Sequence, residues 1–160
     1  MGSEMCIRDR HNVVLVPNHQ SHADYVIFNY LLHKKFGVAP YTAGGINLNF
    51  FLMGSFFRNL GCIFIRRSFQ DNKAYKATLK AYITDIMKAG GHPIEFYFEG
   101  GRSRNGMLMT PKFGLLSMII AGYRNSKNSE KSLLFIPASI IHDHLPEQGA
   151  LAKEVAGGTK

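Results

Sequence analysis

The sequence predicts an α/β fold, with a mixed, largely parallel β-sheet flanked by helices. Short apolar runs with strand character alternate along the chain with longer segments whose apolar residues recur at helical spacing. Hydrophobic residues make up 46% of the 160 residues, which suffices for one domain with its own core. No apolar run approaches the ~20 residues that span a bilayer, so neither a transmembrane helix nor a signal peptide is expected.

The first ten residues are set aside from the fold prediction. Their sequence, MGSEMCIRDR, resembles the translation of an adapter used in DNA library preparation. We expect residues 1–10 to be an adapter-derived artefact and residues 11–160 to be a domain fragment that is truncated at both ends. With Cys6 excluded, the remaining cysteine is Cys62, so neither an intrachain disulfide nor a cysteine metal site is expected.

The charge of the chain indicates an anionic partner. Its net charge is +8 at pH 7, and excluding the first ten residues does not change this balance. A basic surface suits nucleic acid, an anionic membrane surface or a phosphorylated small molecule. The basic residues cluster in two predicted loops rather than along a stripe interleaved with aromatic residues, so we expect no nucleic acid partner.

The first predicted strand and helix enclose the most distinctive loop of the chain. The apolar run Val13–Val16 predicts the strand, and the apolar spacing of Tyr25–Phe36 predicts the helix, which ends at Gly37. Between them lies the sequence PNHQSHAD, residues 17–24.

The middle of the chain repeats this alternation. Residues 41–43 predict a short strand, and the run GCIFIRR at 61–67 predicts a strand that ends in two arginines. An amphipathic pattern at 73–89 predicts a long helix with Asp71 or Asn72 as its N-cap.

An uncharged segment, Ile46–Phe57, contains four phenylalanines and precedes Arg58. One interpretation is a helix that is buried in the core. The other is a helix that lies in a lipid interface, with Arg58 beside the phosphate headgroups. The sequence leaves both interpretations open.

The last third of the chain predicts a strand at 93–98, an apolar helix at 113–123 and a strand at 133–141. The loop EGGRSRNG follows the first of these strands. In parallel sheets the ligand crevice lies at the carboxyl ends of the strands. We therefore expect the PNHQSHAD loop, the two arginines after the 61–67 strand and the EGGRSRNG loop to gather at one edge.

His19 and Asp24 are the candidate acid–base pair. Residues five positions apart point about 140° away from each other on a helix, so cooperation requires His19 in the loop and Asp24 in the first helical turn. There the helix dipole favours an ionised carboxylate, which can bind one imidazole nitrogen and leave the other to accept a proton. Taken alone, the pair also suits a helix N-cap beside a polar loop.

The two other loops are predicted to bind an anion. Gly100 and Gly101 let backbone N–H groups approach an anion closely, and Glu99 either orients guanidinium groups or binds a substrate hydroxyl. Arginine presents a planar fork that binds phosphate bidentately. Four arginines belong to this set: Arg66, Arg67, Arg102 and Arg104. Each loop alone is also compatible with a charged surface turn.

Four blocks in this order resemble the motifs of the glycerolipid acyltransferase superfamily. They are Asn-His-x4-Asp at 18–24, Gly-x-x-Phe-Ile-x-Arg at 61–67, aromatic-x-Glu-Gly-x-Arg-Ser at 97–103, and the apolar strand around Pro137. Within the superfamily, the closest resemblance is to the membrane-bound bacterial glycerol-3-phosphate acyltransferases and the related dihydroxyacetone-phosphate acyltransferases. It rests on residues 43–50, 64–69, 72–73, 99–104, 111–116 and 152–154. It covers nearly all of the chain beyond the first ten residues.

The resemblance implies a glycerolipid acyltransferase-like catalytic domain in residues 11–160. Its implied reaction is acyl transfer from acyl-CoA or acyl carrier protein to the sn-1 hydroxyl of glycerol 3-phosphate, the first step of phospholipid synthesis. Lysophosphatidic acid and dihydroxyacetone phosphate are the alternative acceptors. The implied location is the cytoplasmic face of the bacterial inner membrane, on an anionic lipid surface. Activity of the fragment on its own is not implied.

The same resemblance implies roles for particular residues. His19 is the general base and Asp24 orients it. No metal and no cofactor is expected beyond the thioester co-substrate. The implied substrate-binding residues are Arg66, Arg67, Glu99, Gly100, Arg102, Ser103 and Arg104.

A metal-dependent phosphoester or ester hydrolase remains an alternative of a different class. His19, His22 and Asp24, together with His142 and His144 on the last strand, are sufficient in number to bind a divalent metal ion. Histidines three positions apart in a loop have no fixed geometry, however, and the arginine-containing loops would have no role in such a site.

Overall fold

Five strands and four α-helices alternate along the part of the chain that the computed structural model describes, which comprises residues 10–49, 53–66, 72–103, 106–126, 131–144, 149 and 152. In chain order they are β1 (His11–Pro17), α1 (Asp24–Phe36), β2 (Tyr41–Gly45), a 3₁₀ turn (Ile46–Leu48), α2 (Met53–Asn59), β3 (Cys62–Ile65), α3 (Lys73–Ala89), β4 (Ile94–Glu95), α4 (Phe113–Asn125) and β5 (Ser132–Ala138). The predicted α/β class is confirmed. Most of the segment that we expect to be adapter-derived lies outside the described residues.

The strands form one sheet in the order β3-β2-β4-β1-β5, and all four strand pairs are parallel. The longest pairing joins β1 and β5, from His11 opposite Ser132 to Pro17 opposite Ala138. Because all strands run in the same direction, their carboxyl ends share one edge of the sheet. The loop that follows β1 therefore emerges between the segments that follow β4 and β5.

Strand β4 is shorter than the sequence predicted. The backbone N–H of Phe96 still donates to the carbonyl of Leu15 at 3.1 Å, but the chain then turns, and the N–H of Gly100 donates to the carbonyl of Tyr97 at 3.0 Å. The apolar run continues through Phe98 because the rings of Phe96 and Phe98 pack together beside the core. The hydrogen bonds between the strands do not continue this far. Strand β5 similarly ends at Ala138, before the predicted end.

The helix ends follow local signals in the sequence. Helix α1 ends at Gly37, which adopts a left-handed conformation with φ of 63° and donates its N–H to the carbonyl of His33 at 2.9 Å. Helix α3 begins after Asn72, whose side chain accepts the N–H of Tyr75 at 2.9 Å. Asn72 is therefore the observed N-cap, and the other candidate, Asp71, lies outside the described residues.

The main core lies between the sheet and helices α3 and α4. One face of each helix is apolar, so burying it against the strands removes a continuous apolar surface from water. The buried side chains of this cluster are Val14, Leu79, Ile83, Ile86, Met87, Ile94, Phe96, Met118 and Ile119. This core holds β1 and β4 in place and thereby positions the loops at their carboxyl ends.

The uncharged segment Ile46–Phe57 does not form one helix in its described parts. It contains the 3₁₀ turn Ile46–Leu48 and the start of helix α2, and residues 50–52 between them lie outside the described residues. Phe57 is buried, whereas Phe56 is 53% exposed. The core interpretation therefore holds for Phe57 and leaves Phe56 at the surface. Within the described residues, no helix combines the length and the apolar character needed to cross a membrane.

Candidate active site

His19 and Asp24 meet at the junction of β1 and α1. His19 lies in the loop after β1, and Asp24 is the first residue of α1, which is the placement that the sequence predicted. The Nδ1 atom of His19 lies 2.9 Å from the Oδ2 atom of Asp24. The Asp24 side chain is fully buried, while 12% of the His19 side chain is exposed. With Nδ1 engaged, Nε2 is the ring nitrogen that can accept a proton.

The loop folds around the Asp24 carboxylate. The Oδ2 atom also accepts the backbone N–H groups of Gln20 at 2.6 Å and Ser21 at 2.8 Å. Burial alone raises the pKa of Asp24, but hydrogen bonds from His19, Ser21, His142 and Gln20 outweigh it and lower this pKa to about 2. Asp24 is therefore ionised at neutral pH and serves as a fixed acceptor.

A second imidazole contacts the same carboxylate. The Nε2 atom of His142, in the segment after β5, lies 2.6 Å from the Oδ1 atom of Asp24, although the two residues are 118 positions apart. Sequence reasoning considered His142 only as a metal ligand and did not assign it to the acid–base pair. The two residues meet because β5 lies next to β1, and adjacent parallel strands bring the residues beyond their ends together. The sequence carries no signal for this strand order.

The loop after β4 packs directly on the loop after β1. The N–H of Ser103 donates to the carbonyl of His19 at 2.7 Å, and the ring centroids of Tyr97 and His19 are 4.4 Å apart. The Glu99 carboxylate accepts the N–H of His19 at 3.4 Å and that of Met109 at 2.8 Å. Glu99 and Ser103 are both buried. In this structure Glu99 therefore joins backbone segments, and its predicted contact with substrate stays a prediction.

The other predicted residues of this loop have distinct surroundings. Gly100 has a φ of 63°, and its N–H closes a turn on the carbonyl of Tyr97 at 3.0 Å. This N–H is therefore engaged within the loop. The hydroxyl of Ser103 donates to the carbonyl of Met107 at 2.6 Å. Arg102 is half-buried and directly precedes Ser103, so it lies beside the loop that carries the acid–base pair.

Of the two predicted arginines after β3, the structure describes Arg66, and the strand that Arg66 follows is separated from this centre. Strand β3 is at the edge of the sheet, three strand intervals from β1, which corresponds to roughly 14 Å at the usual strand spacing. Arg66 is exposed, its N–H donates to the Tyr75 hydroxyl at 3.1 Å, and its guanidinium lies 5.0 Å from the centroid of the Tyr75 ring. The structure thus brings two of the three loops into contact. Arg67 and Arg104 lie outside the described residues.

A buried polar cluster beneath Tyr97 was missed by sequence reasoning. Glu95 is fully buried on β4 and accepts hydrogen bonds from the Thr42 hydroxyl at 2.9 Å and the Asn29 amide at 2.8 Å. Burial raises the pKa of Glu95 despite these hydrogen bonds, and burial together with the nearby Glu95 raises the pKa of Tyr97. The signal was one acidic residue within the run PIEFYF.

The residues proposed as metal ligands do not assemble in the described part of the chain. No group of three or more His, Cys, Asp or Glu side chains is arranged there to hold a metal ion. His19 and His142 instead approach different oxygens of Asp24, and His22 and His144 are exposed. The observed geometry is that of a hydrogen-bonded acid–base cluster.

Comparison with known proteins identifies the family of this chain. The profile of the Acyltransferase family matches residues 2–141, which include every strand and helix described above. A curated relative named glycerol-3-phosphate acyltransferase, from Hamiltonella defensa subsp. Acyrthosiphon pisum (strain 5AT), is 42% identical over 150 residues, or 94% of this chain. The chain spans 18% of the length of that relative. Because the family profile matches most of its length, the chain belongs to the Acyltransferase family.

Proposed function

We propose that this chain carries the catalytic pair of an enzyme that acylates the sn-1 hydroxyl of glycerol 3-phosphate, the first step of phospholipid synthesis. The observation that carries the proposal is the 2.9 Å contact between His19 Nδ1 and Asp24 Oδ2 in a chain of the Acyltransferase family. The name of the Hamiltonella relative supports glycerol 3-phosphate as the acceptor. Lysophosphatidic acid and dihydroxyacetone phosphate are the alternative acceptors.

The reaction follows from the two ring nitrogens of His19. Nε2 removes the proton of the acceptor hydroxyl while its oxygen attacks the thioester carbon of acyl-CoA or acyl carrier protein. The ionised Asp24 stabilises the imidazolium that forms. The carbon–sulfur bond then breaks, and the imidazolium returns the proton to the leaving thiolate. Because the acceptor attacks directly, the reaction requires no acyl-enzyme intermediate.

We propose Arg102 as the first ligand of the acceptor phosphate among the described arginines. It lies in the loop whose Ser103 N–H binds the His19 carbonyl at 2.7 Å, so its backbone lies close to that of the base. A phosphate held there would fix the hydroxyl within reach of His19. Arg67 and Arg104 remain predicted members of this site, and Arg66 would reach it only from the far end of the sheet edge.

We place the reaction at the cytoplasmic face of the bacterial inner membrane, with the protein bound to an anionic lipid surface. The net charge of +8 favours such a surface. Helix α2 exposes an aromatic ring, Phe56, and a cation, Arg58, and both kinds of side chain suit the headgroup region. The acylated glycerol phosphate that the reaction forms would then enter this membrane directly.

Acyl transfer from palmitoyl-CoA to glycerol 3-phosphate, dihydroxyacetone phosphate and lysophosphatidic acid tests the proposal. The assay uses the chain on anionic vesicles and, in parallel, the chain inserted in place of the matching segment of the Hamiltonella relative. We expect transfer to glycerol 3-phosphate that is lost in His19→Ala. Transfer only to another acceptor would show that glycerol 3-phosphate is not the substrate, while the role of His19 as the base would still hold. Folded, lipid-bound protein without transfer in either form would contradict the proposal.

A further inference from the structure

The segment after β5 is fixed against the acid–base loop. The N–H of Asn18 donates to the carbonyl of Ala138 at 3.2 Å. The Asn18 side chain then binds both backbone groups of Ile140: its amide donates to the carbonyl at 3.0 Å and its oxygen accepts the N–H at 2.6 Å. Two residues further on, His142 reaches Asp24. The backbone that carries His142 is therefore held in place by hydrogen bonds from the residue that directly precedes His19.

Among the described contacts of the Asp24 carboxylate, more are made by Oδ2 than by Oδ1. Oδ2 is contacted by His19 Nδ1 and by the N–H groups of Gln20 and Ser21, whereas Oδ1 is contacted by His142 Nε2. The His142 side chain is 10% exposed and that of Asp24 is fully buried, so bulk water does not readily replace this donor. A buried carboxylate oxygen that loses its donor bears a large desolvation cost.

We propose that His142 is a positioning residue for the catalytic base. Its Nε2–H donates to Asp24 Oδ1 and thereby fixes the plane of the carboxylate, so that Oδ2 holds the His19 ring with Nε2 directed toward the acceptor. His142 touches neither substrate nor reacting atoms in this scheme. The predicted effect on turnover rests on the acyl transfer proposed above, whereas the hydrogen bond between His142 and Asp24 can be tested without it.

A structural role is the alternative, in which His142 only anchors the segment after β5. The three hydrogen bonds of Asn18 already anchor this segment at Ala138 and Ile140. An anchor would affect stability and the affinity for substrate. A positioning residue affects kcat, because misorientation of His19 matters most in the transition state.

The kinetic test compares His142→Leu with His142→Gln in the full chain. Leucine removes the donor, whereas the side-chain amide of glutamine can donate to Oδ1 from a position similar to that of Nε2. We expect His142→Leu to lower kcat about 10-fold to 100-fold with little change in KM, and His142→Gln to recover most of kcat. His33→Gln, at an exposed position in the last turn of α1, is the matched control and should retain wild-type kinetics.

The proposal is overturned if His142→Leu keeps the wild-type kcat, or if both His142 variants lose kcat equally while their melting temperatures match that of the wild type. A rise in KM without loss of kcat would equally overturn it in favour of the anchoring role. Wild-type protein that transfers no acyl group would contradict the proposed function. The hydrogen bond between His142 and Asp24 would then be tested by spectroscopy alone.

The spectroscopic test observes the imidazole N–H protons, which resonate far downfield when they are bound to a carboxylate. We expect two such signals in the wild type, from His19 and His142. The His142→Leu variant should lose one of them. Asp24→Asn should shift both upfield because the charge of the acceptor is lost. A His142 signal that is unchanged in a folded Asp24→Asn protein would overturn the proposal whether or not the protein is active.

Discussion

The Nδ1 atom of His19 lies 2.9 Å from the Oδ2 atom of Asp24, where the end of β1 meets the start of α1. The two side chains meet because the loop turns back on the first helical turn. Backbone N–H groups of the same loop bind the carboxylate, which holds it ionised and immobile. One nitrogen of the imidazole is thereby fixed, and the other is available for proton transfer.

Replacement of Asp24 by asparagine should strongly reduce catalysis. Asparagine retains the approximate shape of the side chain but lacks the negative charge that stabilises the imidazolium of His19. We expect kcat to fall on the order of 10² to 10³. Steady-state kinetics of a variant with native circular dichroism provides the measurement. A kcat within a factor of about three of the wild type would show that Asp24 does not orient the base.

Asp24 should also contribute to stability in a pH-dependent manner. Its pKa is about 2 in the folded protein against a reference value of 3.8, so its contribution is present above about pH 4 and is lost as the pH falls toward 2. The full contribution is on the order of 2 kcal/mol. Urea unfolding at about pH 5 and about pH 3 should show a smaller loss of stability for Asp24→Asn than for the wild type. Equal losses would indicate that Asp24 has the same pKa in both states.

Gly100 and Gly101 form a matched pair for testing the loop after β4. Gly100 has a φ of 63°, and an added Cβ would lie 2.8 Å from the Cδ of Lys112, whereas a Cβ at Gly101 would meet no atom within 4 Å. We expect Gly100→Ala to reduce the free energy of unfolding by about 1 kcal/mol or more. Gly101→Ala should change it little. Equal effects in denaturant titrations would argue against this loop conformation.

Glu95 should be replaceable by glutamine but not by alanine. The amide oxygen of Glu95→Gln can still accept from Thr42 and Asn29, whereas Glu95→Ala removes the buried acceptor that both side chains share and should cost about 2 to 3 kcal/mol. Burial raises the pKa of Glu95 from 4.5, so the wild-type protein loses stability as the pH rises through the folded-state pKa. Glu95→Gln removes this loss. Thermal melts at acidic and neutral pH provide the check, and a Gln variant as unstable as the Ala variant would contradict the prediction.

The sequence was most informative where the structure is local. The placement of His19 and Asp24 could be predicted because both lie in one short stretch between a strand and a helix. The end of α1 at Gly37 and the N-cap at Asn72 also depend on neighbouring residues alone. By contrast, the predicted end of β4 lies beyond the observed one, because the aromatic residues after Glu95 are as apolar as residues within a strand.

Features that depend on strand order could not be predicted in this way. His142 reaches Asp24 only because β5 lies next to β1, and the alternation of strands and helices does not specify that order. The same order places Arg66 at the far end of the sheet edge, where its guanidinium stacks on Tyr75. Glu95 was overlooked because nothing in its strand shows that Thr42 and Asn29 come within hydrogen-bond distance of it.

The most direct test of the acid–base assignment is single-turnover transfer of palmitate to glycerol 3-phosphate by His19→Gln. Binding of glycerol 3-phosphate is measured separately, and His33→Gln provides the control. If His19 Nε2 is the base, transfer falls on the order of 10² to 10⁴ while binding of the acceptor is retained. Transfer by His19→Gln at a rate close to that of the control would show that another group removes the proton.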